Sequence, residues 1–93
     1  MIDPIDIIYI QADWNYSEIH LSNNKQEVVV INIGTMENLL PKGFARINRS
    51  VIINLKYLEK VQRGKRICLL KKDNESYSFK IPIRRIKDLE ENL

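Results

Sequence analysis

Period-two alternation of apolar and polar residues recurs along this chain, and the elements it predicts are mainly short strands. Ile7 to Ala12 is β-branched and aromatic and reads as a strand, with Asp13-Trp14-Asn15 as the turn that ends it. Tyr16 to Leu21 then alternates, with Ser17, Ile19 and Leu21 on one side and Tyr16, Glu18 and His20 on the other, as a half-buried strand does. Ser22-Asn23-Asn24-Lys25 has turn chemistry, and Glu27 to Ile33 supplies the next strand of a meander. Met36, Leu39 and Leu40 are spaced as one face of a short helix covering a sheet edge or end. Thr35 is its expected cap. Pro41-Lys42-Gly43 ends it, because proline cannot continue the helical hydrogen bonding.

The second half reads as hairpins and a helical tail. Asn54-Leu55-Lys56-Tyr57 is a turn into a strand over Leu58 to Gln62. Arg63-Gly64-Lys65 closes a hairpin onto Arg66 to Lys71, and Asp73-Asn74-Glu75 closes another onto Tyr77 to Ile81. Behind Pro82, residues Ile83, Ile86, Leu89 and Leu93 fall at the spacing of an amphipathic helix. That helix carries Arg84 and Arg85 in its first turn and Glu90 and Glu91 near its end, the reverse of what its dipole favours. Local stability does not select this order, whereas an anion docked at the helix start would use both arginines and the free N–H groups. The alternative is a weakly penalised helix whose arginines point into water.

Ninety-three residues without an internal repeat, low-complexity segment or linker predict a single domain over 1–93 with one modest core. The formal net charge of +3 conceals a strong sorting. Residues 42–87 hold 14 of the 15 Lys and Arg against three acids, Glu59, Asp73 and Glu75, a formal +11. Clustering of this kind points to a polyanion partner, since grouped cations attract phosphates and release their counterions. A lysine-rich sheet face that only keeps the protein soluble is the plainer alternative.

The lone Cys68 lies in Ile67-Cys68-Leu69-Leu70 and reads as a buried apolar group, so no disulfide framework exists. The acidic start Met1 to Asp6 lacks the basic character of a signal peptide and reads as unanchored, and no apolar run is long enough to span a bilayer. The expected location is the cytoplasm, with no membrane contact from this segment. One His, one Cys and three glycines supply no nucleophilic pair, metal-ligand spacing or phosphate-cradling loop. The sequence therefore reads as a non-enzyme without cofactor or metal.

Candidate binding chemistry concentrates in Phe44-Ala45-Arg46-Ile47-Asn48-Arg49-Ser50-Val51-Ile52-Ile53-Asn54. If Ala45 and Ile47 face a core, Arg46 and Asn48 turn outward, with Arg49 and Ser50 following where the chain leaves the strand. Arginine presents a donor fork suited to phosphate oxygens or a guanine edge, and asparagine matches an adenine edge. The competing reading leaves both arginines solvated or in surface ion pairs of little worth.

The pattern Phe44-x-Arg46-x-x-Arg49-Ser50-x-x-x-Asn54 resembles the signature of the LytTR family, the DNA-binding output domains of many bacterial response regulators. Ile8 to Leu21 is similar to that family's opening segment, and Ile81-Pro82-Ile83-Arg84-Arg85 to its last strand and turn, so the resemblance spans nearly the whole chain. The family usually has His where Asn48 stands and often Ser where Ile83 stands. The resemblance implies a mostly β, elongated arrangement of short antiparallel sheets and hairpins with one or two short helices. It also implies a transcription regulator that reads duplex DNA with loops and strand ends. On that reading Asn15, Tyr16, Asn48, Arg49 and Arg84 contact bases, while Arg46, Ser50, Lys56, Arg85 and Lys87 contact phosphates. It further implies pairs of domains on repeated half-sites, as a homodimer on DNA, and joining to a receiver or sensor domain in a longer chain. Two alternatives carry over. One is a β-rich protein-interaction module with a basic face. The other is a single-stranded RNA binder, for which Tyr57, Tyr77 and Phe79 are too scattered to form a stacking platform.

Overall fold

The computed structural model describes residues 2–93, which form two antiparallel sheets and two helices. The larger sheet contains β1 (Ile7–Asp13), β2 (Tyr16–Leu21), β3 (Gln26–Val29), β4 (Phe44–Arg46) and β5 (Val51–Asn54), ordered β3-β2-β1-β5-β4. The smaller holds β6 (Leu58–Gln62), β7 (Ile67–Lys72) and β8 (Glu75–Lys80) in sequence order. α1 (Ile33–Leu39) follows β3, and α2 (Ile83–Glu90) ends the chain. The molecule measures 36 × 27 × 21 Å.

β5 is the strand from which the rest is built, because all four of its residues are buried. A strand sends successive side chains to opposite faces, so β5 serves two cores at once. Ile52 joins Ile10, Ile19, Ile33 and Met36 under α1. Val51 and Ile53 join Ile8, Cys68, Leu70, Ile86 and Leu89 between the sheets and under α2. Burying an aliphatic side chain of this size contributes about 1.5–3 kcal/mol, so the apolar run Val51-Ile52-Ile53 stabilises both layers together. β1 must also face both ways. A register shift between Ile7 and Tyr9 lets Ile7 and Ile10 enter the α1 core while Ile8 enters the other. Burial pushes the Cys68 thiol up to about 11, which keeps it protonated and apolar, as its sequence context predicts.

Several local expectations are corrected. β3 stops at Val29 instead of running to Ile33, because Ser17 Oγ donates to Ile31 O at 2.6 Å and Asn32 starts a helix. The cap of α1 is Asn32, whose side chain accepts from Thr35 N at 2.9 Å; Thr35 lies inside the helix. The inward face of α1 is Ile33 and Met36, while Leu39 is exposed, and the helix covers a face of the larger sheet instead of its edge. In α2 only Ile86 and Leu89 are buried; Ile83 and Leu93 are exposed. The chain start is not loose over the described residues. Pro4–Asp6 forms a 3-10 turn capped by Asp3, Tyr57 Oη donates to Ile5 O at 2.9 Å, and Ser22 N donates to Asp6 O at 2.8 Å. Tyr77 and Phe79 share one face of β8 and pack on Tyr9, with ring centroids at 5.4 and 4.8 Å. His20 stacks on the same Tyr9 ring, 4.2 Å away and nearly parallel. Burial first, then Tyr77 and Glu18, raises the Tyr9 phenol above its ordinary value.

Candidate nucleic-acid interface

Where the chain passes from β4 to β5, the backbone is held by side chains instead of by sheet pairing. Ile47 is fully buried and its N–H donates to Val51 O at 3.0 Å, which closes the loop on its own strand. Asn48 then uses both ends of its amide. Its Oδ1 accepts from Ser50 N at 2.8 Å, an Asx turn, and its Nδ2 donates to Lys80 O at 2.8 Å. Arg46 lays its fork across the same loop: Nε donates to Asn48 O at 3.3 Å, one terminal nitrogen to Arg49 O at 2.6 Å, and the other to Glu37 of α1 at 3.2 Å. These bonds leave Arg49 at the apex, exposed and with no ion-pair partner among the described residues.

The bond from Asn48 to Lys80 O brings a distant segment to this loop. Ile81 N donates to Arg66 O at 2.9 Å, Pro82 turns the chain, and α2 begins with Ile83, Arg84 and Arg85. The first turn of α2 has no side-chain cap and no acid, so its free N–H groups and both arginines present positive charge together. Its acidic end is offset by an ion pair between Glu90 and Arg63. Loop and helix start enclose a cleft of about 410 Å³ lined by Glu37, Arg46, Asn48, Arg49, Pro82, Arg84 and Arg85. The only acid in that lining, Glu37, is paired with Arg46, so the cleft is cationic.

A third segment reaches the same end of the larger sheet. Ala12 N donates to Ser50 O at 2.8 Å, which sets the β1–β2 turn beside the Asn48–Ser50 loop. Asn15 and Tyr16 are exposed there. The structure thus gathers Asn15, Tyr16, Asn48, Arg49, Ser50, Arg84 and Arg85 at one end of the molecule, and Lys87 lies exposed on the next turn of α2. Lys56 is not brought there. It lies past the other end of β5, its ammonium 5.5 Å from the Tyr57 ring centroid, lining a separate cleft. Sequence reasoning missed Glu37 and Pro82 as parts of the cleft. Glu37 carries no local signal, since its partner Arg46 belongs to another element.

The family model described as the LytTr DNA-binding domain matches residues 1–93. The chain belongs to the LytTR family of DNA-binding domains. The fold of this LytTR domain is also similar to a solved structure described as the LytTr DNA-binding domain of a methyl-accepting/DNA response regulator from Bacillus cereus. The TM-score is 0.74 at 19% sequence identity, over 98% of this chain and 84% of that one. No curated protein matches the sequence significantly.

Within the LytTR domain, much of the signature stretch holds structure. Phe44 packs on the α1 core, and Arg46 fastens the loop. Asn54, buried, donates to Ile7 O at 2.9 Å and accepts from Lys56 N at 3.0 Å, tying β5 to the start of β1. Among the described residues, Arg49 and Ser50 are the signature side chains left exposed and free of such bonds.

Proposed function

We propose that this LytTR domain is the sequence-specific output domain of a bacterial transcription regulator acting in the cytoplasm, and that the end of the molecule bearing the cationic cleft docks on duplex DNA. The observation that carries the reading is the meeting of Arg46, Asn48 and Arg49 with Arg84 and Arg85 around one cleft, from segments far apart in the chain. The Bacillus cereus protein of the same fold is described as part of a response regulator, which supports a regulatory output.

Arg49 and Arg84 present free guanidinium forks, the geometry that matches a guanine edge in the major groove. Asn15 and Tyr16 approach bases from the adjacent turn. Asn48 reads a base by exchanging one of its two internal hydrogen bonds. Ser50, Arg85 and Lys87 take phosphates, and Arg46 offers its remaining N–H groups to the backbone while holding the loop. Lys56 faces the far end and is left out of this contact set. Three contact points along one end suit a domain lying along the duplex, with a second copy on a repeated half-site. A receiver or sensor domain in a longer chain would supply the signal. The chemistry is binding alone, with no catalytic step, cofactor or metal.

The test is selection from a pool of random duplex DNA by the purified domain, followed by titration of the winning sequence and a scrambled duplex at two salt concentrations. The reading expects a repeated short motif bound more tightly than the scramble, weakening by about 0.9 log units per log unit of salt for each phosphate neutralised. No enrichment, with weak binding equally salt-sensitive on both duplexes, overturns it in favour of a basic protein-interaction face.

A further inference from the structure

We propose that Trp14 is an apolar base-reading residue, its indole packing against the 5-methyl group of a thymine beside the bases contacted from the cleft. This rests on the duplex-DNA reading above. Trp14 is 91% exposed and belongs to neither core, so folding gains nothing from its large apolar surface. Its backbone is left-handed, with φ 58°, a conformation that glycine or asparagine adopts at lower cost. Neither turn propensity nor packing therefore selects tryptophan here.

Its surroundings point to bases. The bond from Ala12 N to Ser50 O sets this turn beside the Arg49 loop. Further exposed apolar side chains lie close by in the chain and the sheet: Tyr16, 44% exposed, closes the same turn, and Val30, 77% exposed, follows the Val29 that pairs with Ser17. The turn Asp13-Trp14-Asn15-Tyr16 contains an acid and no cation, which disfavours phosphate contact at this tip. In the major groove, the apolar group a base pair offers is the thymine methyl. An indole set among donors and acceptors therefore adds discrimination for thymine that the arginines cannot supply.

The test uses the full chain and the duplex recovered by selection. Trp14 is the sole tryptophan, so its intrinsic fluorescence reports the contact directly. Binding is titrated for the wild type and Trp14→Ala on that duplex and on duplexes with uracil replacing thymine one position at a time. At one position the replacement is expected to weaken wild-type binding about fourfold, the equivalent of one buried methyl group. Trp14→Ala loses at least as much, no longer distinguishes uracil from thymine there, and melts at an unchanged temperature; Trp14→Phe retains most of the affinity. Unchanged affinity in Trp14→Ala, or equal losses with thymine and uracil at every position, overturns the proposal while the DNA reading stands. If the wild type binds no duplex selectively, both fall.

Discussion

The two ends of β5 both open into clefts flanked by cations, and they are built in opposite ways. Beyond Val51, arginines line the cleft, and the loop carrying Arg49 is fastened by Arg46, by the Asx turn of Asn48 and by the bond from Asn48 to Lys80 O. Beyond Asn54, a cleft of about 270 Å³ is flanked by Lys42 and Lys56 among Pro4, Ile5, Pro41 and Phe44. Here the polar side chain is spent inward, as Asn54 holds β1 and the following turn. Lysine is a mobile point charge on a flexible stem, while arginine is a rigid fork whose direction carries information. Positive charge alone does not distinguish the two ends. Loop geometry held by hydrogen bonds does, and such preorganisation lowers the ordering cost of binding.

Four substitutions break or sharpen this contrast. The largest effect belongs to the strand that joins the ends. Ile53→Ala leaves a cavity in the core shared by both sheets and α2, and is expected to cost about 2–5 kcal/mol in urea unfolding. Arg46→Ala comes next, with about 1–3 kcal/mol of stability lost, because the carbonyls of Asn48 and Arg49 lose their donor and Glu37 its partner. It should also weaken binding to the selected duplex, since Arg49 loses its fixed base. Retention of full affinity by a destabilised Arg46→Ala would show that loop order is irrelevant to recognition.

Arg49→Ala, by contrast, should leave the melting temperature in place and cost about 1–3 kcal/mol on the selected sequence, with little change on random DNA. Equal losses on both duplexes would move Arg49 to the phosphates. The smallest effect is predicted for Lys56→Ala at the far end, within about 0.5 kcal/mol in stability. Its affinity for the duplex should match the wild type. A loss as large as that of Arg49→Ala would put DNA on both ends and end the contrast.

Part of this architecture is legible in the residues, for reasons that are local. Tyr16 to Leu21 alternates and is the half-buried β2 it predicts, and the apolar run Val51-Ile52-Ile53 is buried. The hairpin turn at Arg63-Gly64-Lys65 lies where turn-forming residues interrupt the pattern, while the next is tighter than the expected Asp73-Asn74-Glu75, because Glu75 already pairs with Lys72 as the start of β8. Other features were hidden because competing local signals are decided at a distance. Asn32 and Thr35 are both good cap residues, and the choice follows from β3 ending at Val29 and from the Ser17 hydroxyl holding Ile31 O just ahead of Asn32. Ile83 lies at helical spacing with Ile86 and Leu89, yet it sits in the first turn beside the cleft, where no partner layer covers it. The start of the chain is tied down by Tyr57, 52 residues away, and nothing local predicts that.

The candidate interface divides in the same way. Arg46, Asn48, Arg49, Arg84 and Arg85 stand out in the sequence as residue types able to bind DNA, and the sorting of charge into residues 42–87 points to a polyanion. The sequence by itself determined most of the strands, the family and the inventory of donors; that Val51–Asn54 is an inner strand buried on both faces came from the packing. The tertiary structure decided how the donors are used: Arg46 and Asn48 are turned inward to hold a loop, Arg49 and Arg84 are left free, and Lys56 is sent to the opposite end. The physical reason is that local pattern depends on near neighbours, whereas the Lys80 carbonyl that Asn48 meets and the Glu37 carboxylate that Arg46 meets belong to other elements, which only the packed cores bring within hydrogen-bond reach.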